Sequence, residues 1–309
     1  MFVDSDGDYR HSVLLVGSGR SGTSWVPEVI NFDHSYRYLY EPFHSKHVPI
    51  ARGWLPRQYV RPDDDDRERL DLASRIFSGR LRNAYADAYN KCVVARKRLI
   101  KDTRLQLALG WIRRRFPEMP MIYLMRHPCA VINSRMQLGR DCDLSRQFFS
   151  QPALMSDHLE PFRAEMERAT DDFERHAYIW CVENYVPMRQ LARGDAHLIF
   201  YEHVCTDPRA ELARLCAYLG VEFDERALDS VAKPSVQARK YHGGGTSAIV
   251  TGANLVDAWR RFVTPDRVRK TIDILRRFGL DTIYGEDASP RAGAAEAMFR
   301  TSNHRDAER

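Results

Sequence analysis

A loop rich in glycine and hydroxyl side chains stands near the start of the chain, in the stretch "LLVGSGRSGTSW" at residues 14–25. Gly17, Gly19 and Gly22 have the G-x-G-x-x-G spacing of a dinucleotide-binding turn, and Gly17 to Thr23 also has the spacing of a nucleotide-binding P-loop. In such loops the backbone N–H groups and the N-terminus of the next helix bind anionic groups. The stretch therefore predicts an anion-binding site and leaves its type open.

The side chains of this loop argue against a dinucleotide site. The loop supplies one cation and three hydroxyls, from Arg20, Ser21, Thr23 and Ser24. A pyrophosphate bound by the backbone of a glycine-rich turn requires fewer side-chain donors. Glu41 stands near the position of the ribose-binding acid of that template, so the acid by itself does not reject it. The donors of the loop suit a terminal anion with several oxygens.

A magnesium-dependent nucleoside triphosphatase is also disfavoured. Its loop carries Lys at the position that Thr23 occupies here, and the cation of this loop lies upstream, at Arg20. The apolar run "MIYLM" is followed by Arg126 instead of the Asp expected to help hold magnesium. The template that remains is a P-loop-like cradle that binds an anion without a metal ion.

The segments around these residues alternate between strand and helix patterns. The apolar runs are "SVLLVG", "YRYLY", "RLIKD", "MIYLMR" and "AHLIFYE", and helical patterns follow them at 22–31, 66–90, 104–116, 128–138 and 207–219. Such alternation predicts an α/β fold, with a P-loop-like parallel sheet flanked by helices. The wholly apolar runs "VLLV", "MIYLM" and "LIF" are typical of central strands buried on both faces.

Two further segments define the expected domain organisation. Residues 139–193 combine a polar loop with a long amphipathic helix, which predicts a helical cap insertion beside the sheet. A late helix is expected at 265–279, and the residues after it have little core-forming power. We expect a single α/β domain over 1–284 and a mobile C-terminal tail over 285–309.

Composition and charge exclude several classes of partner. The 309-residue chain has 47 basic and 42 acidic residues, and its formal net charge of +5 is too small to indicate the clustered charge that nucleic-acid binding requires. No apolar run approaches the roughly 18 to 20 residues of a membrane span, and the start "MFVDSDGDYRH" lacks the apolar core of a signal peptide. We expect a cytoplasmic protein with an anionic ligand, no nucleic-acid partner and no membrane span.

The sequence predicts no metal site. The six cysteines form no C-x-x-C pair and have no nearby His at metal-ligand spacing, so they are expected to be reduced and mostly buried. The acidic run at 63–66 follows Pro62 and precedes a helical pattern, which favours a solvated helix N-terminus.

Two motifs give the sequence a family resemblance. "GRSGTSW" at 19–25 resembles the anion loop of the sulfotransferases that use 3′-phosphoadenosine 5′-phosphosulfate (PAPS). In "YLMRHPCAVINSR" at 123–135, Arg126 and Ser134 match the Arg and Ser that bind the 3′-phosphate in that family. Both positions lie where they can face an anion at the carboxyl edge of a sheet.

Weaker similarities follow along the chain. "LIFYEHVCTDPRAELARLCAYLGV" at 198–221 is similar to a family segment whose Tyr lies by the adenine, here Tyr201. "ARKYHGGG" at 238–245 is similar to a loop that closes over the 3′-phosphate, which implies roles for Arg239 and Lys240. Tyr241 stands where Gly is usual in the cytosolic small-molecule branch, so the chain resembles the carbohydrate and bacterial branch more closely.

The resemblance implies transfer of a sulfuryl group from PAPS to a hydroxyl of a carbohydrate or other small-molecule acceptor. Such transfer requires a cation near the bridging oxygen, donors around the sulfuryl group and a base for the acceptor hydroxyl. The implied donor-binding residues are Gly19, Arg20, Ser21, Gly22, Thr23, Ser24, Trp25, Arg126, Ser134, Tyr201, Arg239 and Lys240.

The catalytic groups are drawn from the same region. Arg20 is the expected cation. The favoured base is Glu41, which ends the second strand before Pro42, and His44 is the competitor. A salt-bridge partner is the structural alternative for Glu41, and a position on the loop surface is that for His44. Lys101 and Arg104 are candidates to contact sulfuryl oxygens or an anionic acceptor, and a solvated helix start explains them about as well. The acceptor and the oligomeric state stay open, and a nucleotide or polynucleotide kinase and a non-catalytic adenosine-nucleotide sensor are the alternative functions.

The acceptor site is expected to form from two segments. One is the predicted cap at 139–193, and the other is the region 44–62, whose aromatic and cationic side chains suit a sugar or an aromatic compound. Those side chains are Arg52, Trp54, Arg57, Tyr59 and Arg61. Core packing explains the same residues nearly as well.

Overall fold

The structure of the protein, a computed structural model, describes residues 2–236 and 255–301. The strands of these residues are β1 Val3–Asp4, β2 Ser12–Gly17, β3 Arg37–Tyr40, β4 Val94–Ala95, β5 Arg98–Asp102, β6 Met121–Met125 and β7 His197–Phe200. Five of them form a parallel sheet in the order β3-β5-β2-β6-β7, and β1 pairs with β4 in a separate two-stranded sheet. The α/β fold class predicted from the sequence is confirmed.

The described helices are α1 Trp25–Ile30, α2 Arg67–Phe77, α3 Leu109–Arg115, α4 Pro128–Gln137, α5 Pro152–Leu154, α6 Arg163–Glu167, α7 Asp172–Gln190, α8 Tyr201–Thr206, α9 Pro208–Leu219, α10 Leu228–Val231, α11 Pro265–Arg277 and α12 Ala292–Met298. Helices α1 to α7 lie between strands of the sheet, as parallel pairing requires, and α8 to α12 follow β7. Helix α2 begins after the acidic run, where the Asp66 carboxylate accepts a hydrogen bond from the Arg69 N–H at 2.9 Å. Among the described helices none is long and apolar enough to cross a membrane.

The central strand β2 is buried on both faces because helices cover each side of the sheet. Leu14 and Val16 point into one apolar cluster, which also contains side chains of α3, α4 and α7. Val13 and Leu15 point into a second cluster, with side chains of α1 and α9. The alternation follows from the two-residue period of a strand and explains why the run "VLLV" has no polar position.

The long helix α7, which lies in the predicted cap insertion, forms an internal layer of the domain. Its side chains Ile179, Trp180 and Val182 are fully buried, and the Tyr123 hydroxyl of β6 donates to the Glu183 carbonyl at 2.8 Å. The predicted amphipathic pattern exists, but the helix packs on the sheet and against α4 and α11. Periodicity identified a helix with an apolar face without showing which surface that face meets.

Residues 285–301 of the predicted C-terminal tail pack against the domain. Helix α12 buries Ala295, and Phe299 is only 6% exposed in the main apolar cluster. The backbone of Arg300 then pairs with the segment after α7, accepting from the Arg193 N–H and donating to the Leu191 carbonyl. A few apolar contacts and backbone hydrogen bonds fix a segment whose composition is poor in core residues. Residues 302–309 lie outside the described residues.

Candidate active site

Several of the functional residues predicted from the sequence lie at one edge of the sheet. The anion loop follows β2, Glu41 follows β3, Arg126 follows β6 and Tyr201 follows β7, while Lys101 lies near the end of β5. Parallel strands have their carboxyl ends at the same edge, and β2 lies at the centre of the sheet. This edge is therefore the candidate active site.

The anion loop adopts a backbone that turns sharply twice. Arg20 has φ of 82° and Gly22 has φ of 91°, both in the left-handed region. Gly22 lies against the ring of Tyr201, where a Cβ atom would stand 2.6 Å from Cδ2. The Ser21 hydroxyl is buried and has no hydrogen-bond partner within the described part of the chain. A buried hydroxyl without a partner is a candidate donor to a bound anion.

Arg20 connects the loop to both elements of the second motif. Its Nε donates to the Ser134 hydroxyl at 2.9 Å, and its carbonyl accepts from Nη1 of Arg126 at 3.1 Å. Ser134 is half-buried on α4, and Arg126 precedes that helix. Because Ser134 accepts from Arg20, its own hydroxyl proton remains available for an anion.

Several arginines together make the electrostatic potential at this edge positive. Burial, followed by the positive charges of Arg126 and Arg140, lowers the pKa of the Arg20 guanidinium from its usual value. Arg20 stays protonated at neutral pH, since an arginine guanidinium titrates far above it. Clustered cations raise the electrostatic potential for an incoming anion.

Tyr201 and Trp25 form an aromatic support beneath the loop. Their ring centroids are 5.5 Å apart, and Trp25 Nε1 donates to the Lys233 carbonyl at 3.2 Å. The guanidinium of Arg126 lies 3.9 Å from the centroid of the Tyr201 ring. Tyr201 is 6% exposed, so in this arrangement it supports Gly22 and Arg126 rather than offering an open face to a base.

Glu41 is held by four donors at the end of β3. Oε1 accepts from Lys101 Nζ at 2.5 Å and from the Thr103 hydroxyl at 3.1 Å; Oε2 accepts from Arg104 Nη1 at 2.7 Å and from the Tyr85 hydroxyl at 3.4 Å. Burial would raise the pKa of the Glu41 carboxyl, but Lys101 and Arg104 hold it well below its usual range. Lys101 and Arg104 both contact this carboxylate, and their predicted contacts with substrate stay a prediction.

The backbone at Glu41 explains how the side chain reaches those donors. Its φ of 43° places it in the left-handed region, and its N–H donates to the Lys101 carbonyl at 2.7 Å. Phe43 N–H then donates to the buried Asp102 carboxylate at 2.9 Å. Burial raises the pKa of Asp102 to about 6. The chain thus leaves β3 through a strained turn that is anchored on β5.

His44 is the second candidate base and is neutral at physiological pH. Burial, together with the positive charge of Arg104, lowers the pKa of His44 to about 4. Its ring lies 4.4 Å from that of His47 and 5.3 Å from that of Tyr85, measured between centroids. His44 therefore shares Tyr85 and Arg104 with Glu41 as neighbours.

The residues predicted to shape the acceptor site have mixed environments. Trp54 is 2% exposed and packs 4.8 Å from Phe43 in the core, so it does not line a site. Tyr59 and Arg61 both donate to Asp157, at 2.9 and 2.7 Å, and so join the region 44–62 to the segment before α6.

A buried carboxylate that the sequence patterns do not predict lies beneath the loop. Glu183 of α7 is fully buried, and its Oε2 accepts from the Ser18 hydroxyl at 2.6 Å and from Arg135 Nη2 at 2.7 Å. Its Oε1 accepts from Arg57 Nε at 2.7 Å. The signal in the sequence was a lone acidic residue within the apolar run "YIWCVENY".

Several predictions concern cations, metals and thiols. Arg239 and Lys240 lie outside the described residues, so their predicted roles stay untested. Within the ranges 2–236 and 255–301, no group of three or more His, Cys, Asp or Glu side chains is placed to hold a metal ion. The six cysteines are free thiols, and Cys92, Cys129 and Cys181 are buried.

Comparison with known proteins defines the class of the chain. The family model described as "Sulfotransferase family" matches residues 12–225, a range that contains the sheet, the loop and α4. The chain belongs to the sulfotransferase family. The family and enzyme class predicted from the sequence are therefore confirmed.

Solved structures of similar fold include three sulfotransferases of low sequence identity. The sulfotransferase domain from the curacin biosynthetic pathway is 14% identical, covers 90% of this chain and 98% of its own, and has a TM-score of 0.46. Sulfotransferase STF9 from Mycobacterium avium is 12% identical, covers 91% and 79%, and has a TM-score of 0.49. Mouse sulfotransferase SULT7A1, complexed with PAP, is 15% identical, covers 89% and 87%, and has a TM-score of 0.42. No curated protein sequence matches this chain significantly.

Proposed function

We propose that the protein transfers a sulfuryl group from PAPS to a hydroxyl of a carbohydrate or other small-molecule acceptor. The observation that carries this proposal is the junction at Arg20, whose side chain contacts Ser134 and whose carbonyl contacts Arg126. A donor with a 5′-phosphosulfate and a separate 3′-phosphate requires cationic and hydroxyl groups at one sheet edge. Arg20, Arg126 and Ser134 would supply these groups.

The donor fits the polar groups of the loop. Backbone N–H groups and hydroxyls of 19–25 would hold the 5′-phosphosulfate, and the buried Ser21 hydroxyl would gain the partner that it lacks. Arg126 and Ser134 would hold the 3′-phosphate. Both contact Arg20 of the loop, and the Arg126 guanidinium and the Ser134 hydroxyl proton can donate to a phosphate. The loop contains no Lys for nucleotide β/γ-phosphates, which disfavours the kinase alternative.

The proposed reaction is an in-line displacement at sulfur. The acceptor oxygen forms a new S–O bond while the bond from sulfur to the bridging oxygen of the donor breaks, and the acceptor proton passes to a base. 3′-Phosphoadenosine 5′-phosphate (PAP) leaves with the bonding electron pair. Arg20 would stabilise the charge that develops on the bridging oxygen, and because it keeps its own proton it acts electrostatically.

Glu41 is the base that we propose, with its carboxylate oriented by Lys101 and Arg104. The weakest of its four contacts is that from the Tyr85 hydroxyl at 3.4 Å, and an acceptor hydroxyl would take that place on Oε2. The low pKa makes Glu41 a weak base, but the acceptor hydroxyl becomes more acidic as its oxygen bonds to sulfur. His44, neutral and adjacent, is the competing candidate.

Ligand-induced stabilisation tests the donor assignment. Thermal unfolding of the purified protein is measured with PAP and separately with ATP plus magnesium, since a ligand that binds only the folded state raises the melting temperature. We expect stabilisation by PAP and a smaller effect of ATP. Transfer from radiolabelled PAPS to a panel of sugars and phenols then identifies the acceptor class. Stabilisation by ATP alone contradicts the proposal, and binding of PAP without transfer to any acceptor favours the sensor alternative.

A further inference from the structure

Three segments of the chain converge on the buried carboxylate of Glu183. Ser18 begins the anion loop, Arg135 lies on α4 and Arg57 belongs to the region 44–62, and all three donate to Glu183 at 2.6 to 2.7 Å. The Glu183 side chain has no exposed surface, and that of Arg57 is 21% exposed. Glu183 therefore joins the loop to a segment expected to shape the acceptor site.

The charges of this cluster do not cancel. Burial would raise the pKa of the Glu183 carboxyl, but Arg135 and Arg57 lower it to about 2, so it is ionised at neutral pH. Burial, with the charges of Arg135 and Arg57, lowers the pKa of nearby His176 to about 4, so that ring is neutral. Two guanidinium groups thus face one carboxylate, and the underside of the loop carries one more positive charge than negative.

Arg57 is held in place from two sides. Its φ of 55° lies in the left-handed region, and its carbonyl accepts from Gln151 Nε2 at 3.0 Å while its side chain bonds to Glu183. Arg135 also reaches the loop, since its Nη2 lies 3.3 Å from the Gly19 carbonyl. The geometry of the loop and that of residue 57 consequently depend on the same carboxylate.

We propose that Glu183 is a positioning residue for sulfuryl transfer, which holds the start of the donor loop and the Arg57 segment in one fixed arrangement. The effect of Glu183 on sulfuryl transfer rests on the proposed function, whereas the contacts of its carboxylate do not. The carboxylate does not touch the reacting atoms. It acts through Ser18 and Arg57, whose orientations it sets.

The variant Glu183→Gln separates positioning from simple electrostatics. Removal of the negative charge leaves the loop underside more positive, so electrostatics alone predicts tighter binding of PAP. Loss of positioning predicts weaker binding, because the amide cannot accept from all three donors as the carboxylate does. We expect the PAP dissociation constant, measured by calorimetry, to rise about tenfold. An unchanged or lower constant in the folded variant overturns the proposal.

Hydrogen exchange of the ligand-free proteins gives a readout independent of activity. We expect faster exchange in Glu183→Gln at both 18–25 and 55–60, because both segments lose their common anchor. The matched control is Glu211→Gln, another buried helical glutamate paired with an arginine, Arg214, on α9. The control should leave exchange in both segments and PAP affinity unchanged. Faster exchange in only one segment, or equally in the control, contradicts the proposal.

A second variant covers the case in which Glu183→Gln does not fold. Ser18→Ala removes one donor and leaves Glu183 ion-paired with Arg57 and Arg135. We expect it to weaken PAP binding about three- to tenfold with a melting temperature close to wild type. Unchanged affinity rejects the proposal. If wild-type protein itself fails to bind PAP, the proposed function fails, and the exchange comparison still decides the role of Glu183.

Discussion

The guanidinium of Arg126 lies over the ring of Tyr201, 3.9 Å from its centroid. This contact, together with the hydrogen bond to the Arg20 carbonyl, fixes the side chain at the mouth of the anion loop. An arginine stacked on an aromatic ring keeps most of its N–H groups free for another partner. Arg126 is thus oriented before any ligand arrives, which reduces the entropy lost on binding.

We expect Arg126→Ala to weaken donor binding more than turnover. A charge-assisted contact to a phosphate that does not react contributes about 1.5 to 3 kcal/mol, or roughly 10- to 100-fold in affinity. Calorimetry with PAP and the donor KM measure the effect. Arg163→Ala, at a half-buried arginine of α6, is the control and should change neither quantity. Unchanged PAP affinity in folded Arg126→Ala would remove this residue from the donor site.

A second prediction concerns the packing of Gly22 against Tyr201. Gly22→Ala should abolish measurable PAP binding or weaken it more than about tenfold, because the new methyl group overlaps the ring and the left-handed backbone disfavours a side chain. Gly139→Ala is the matched control, since Gly139 has φ of 55° but open space around it. Both variants lose about 1 kcal/mol of stability to backbone strain, and only Gly22→Ala should lose the ligand. Equal PAP affinities for the two variants contradict the loop geometry.

The third prediction is a loss of stability in acid that originates at His127. This fully buried residue caps α4, stacks 4.6 Å from Trp259, and has its pKa lowered to about 4 by burial. The His127 ring takes up a proton near pH 6.5 in the unfolded state and only near pH 4 in the folded state. The free energy of unfolding therefore falls as the pH falls from 6.5 towards 4. At pH 5 the loss is about 2 kcal/mol relative to pH 8.

His127→Asn isolates that contribution, because Asn also caps a helix but does not titrate. Urea unfolding at pH 8 and pH 5 should show a smaller pH-dependent loss in the variant, by about 2 kcal/mol. His34→Asn, at an exposed histidine with a left-handed backbone, should keep the wild-type dependence. Identical pH dependence in wild type and His127→Asn would contradict the assignment.

The sequence alone predicts the central parallel sheet and the proximity of the anion loop to Arg126. Parallel strands place their carboxyl ends together, so a motif after β2 and another after β6 had to lie at the same edge. The partners of Glu41 were not predictable, because they follow from the pairing of β3 with β5, and strand order is not encoded in the alternation of elements. For the same reason the sequence does not predict that Lys101 and Arg104 bind the Glu41 carboxylate.

Two other features lay beyond the sequence patterns. Glu183 is an acidic residue on a helix whose apolar face packs on the sheet, and only the fold shows that Ser18, Arg57 and Arg135 surround it. Phe299 stands in a segment of low apolar content, yet it packs into the main cluster. In both cases contacts distant in sequence decide the environment, and local composition carries no information on them.

The last prediction separates Glu41 as a catalyst from Glu41 as a structural ion-pair partner. Glu41→Gln keeps the shape of the side chain and its acceptor oxygen but cannot take a proton, so turnover should fall roughly 10²- to 10⁴-fold while PAP affinity stays near wild type. Turnover with labelled PAPS, PAP affinity and melting temperature are measured on one preparation. Lys101 and Arg104 then lose an ionised partner, so the melting temperature should also fall.

The variant Lys101→Met controls for that loss of pairing. It removes one cation from Glu41 but leaves the carboxylate, Arg104 and Tyr85 in place, so it lowers stability without removing the base. If Glu41 is only structural, Glu41→Gln and Lys101→Met should have similar turnover at a temperature where both are folded. If Glu41 is the base, the Gln variant should be slower by at least about tenfold. Turnover that persists in Glu41→Gln and disappears in His44→Asn would identify His44 as the base, since its ring is neutral at pH 7 and shares Tyr85 as a neighbour.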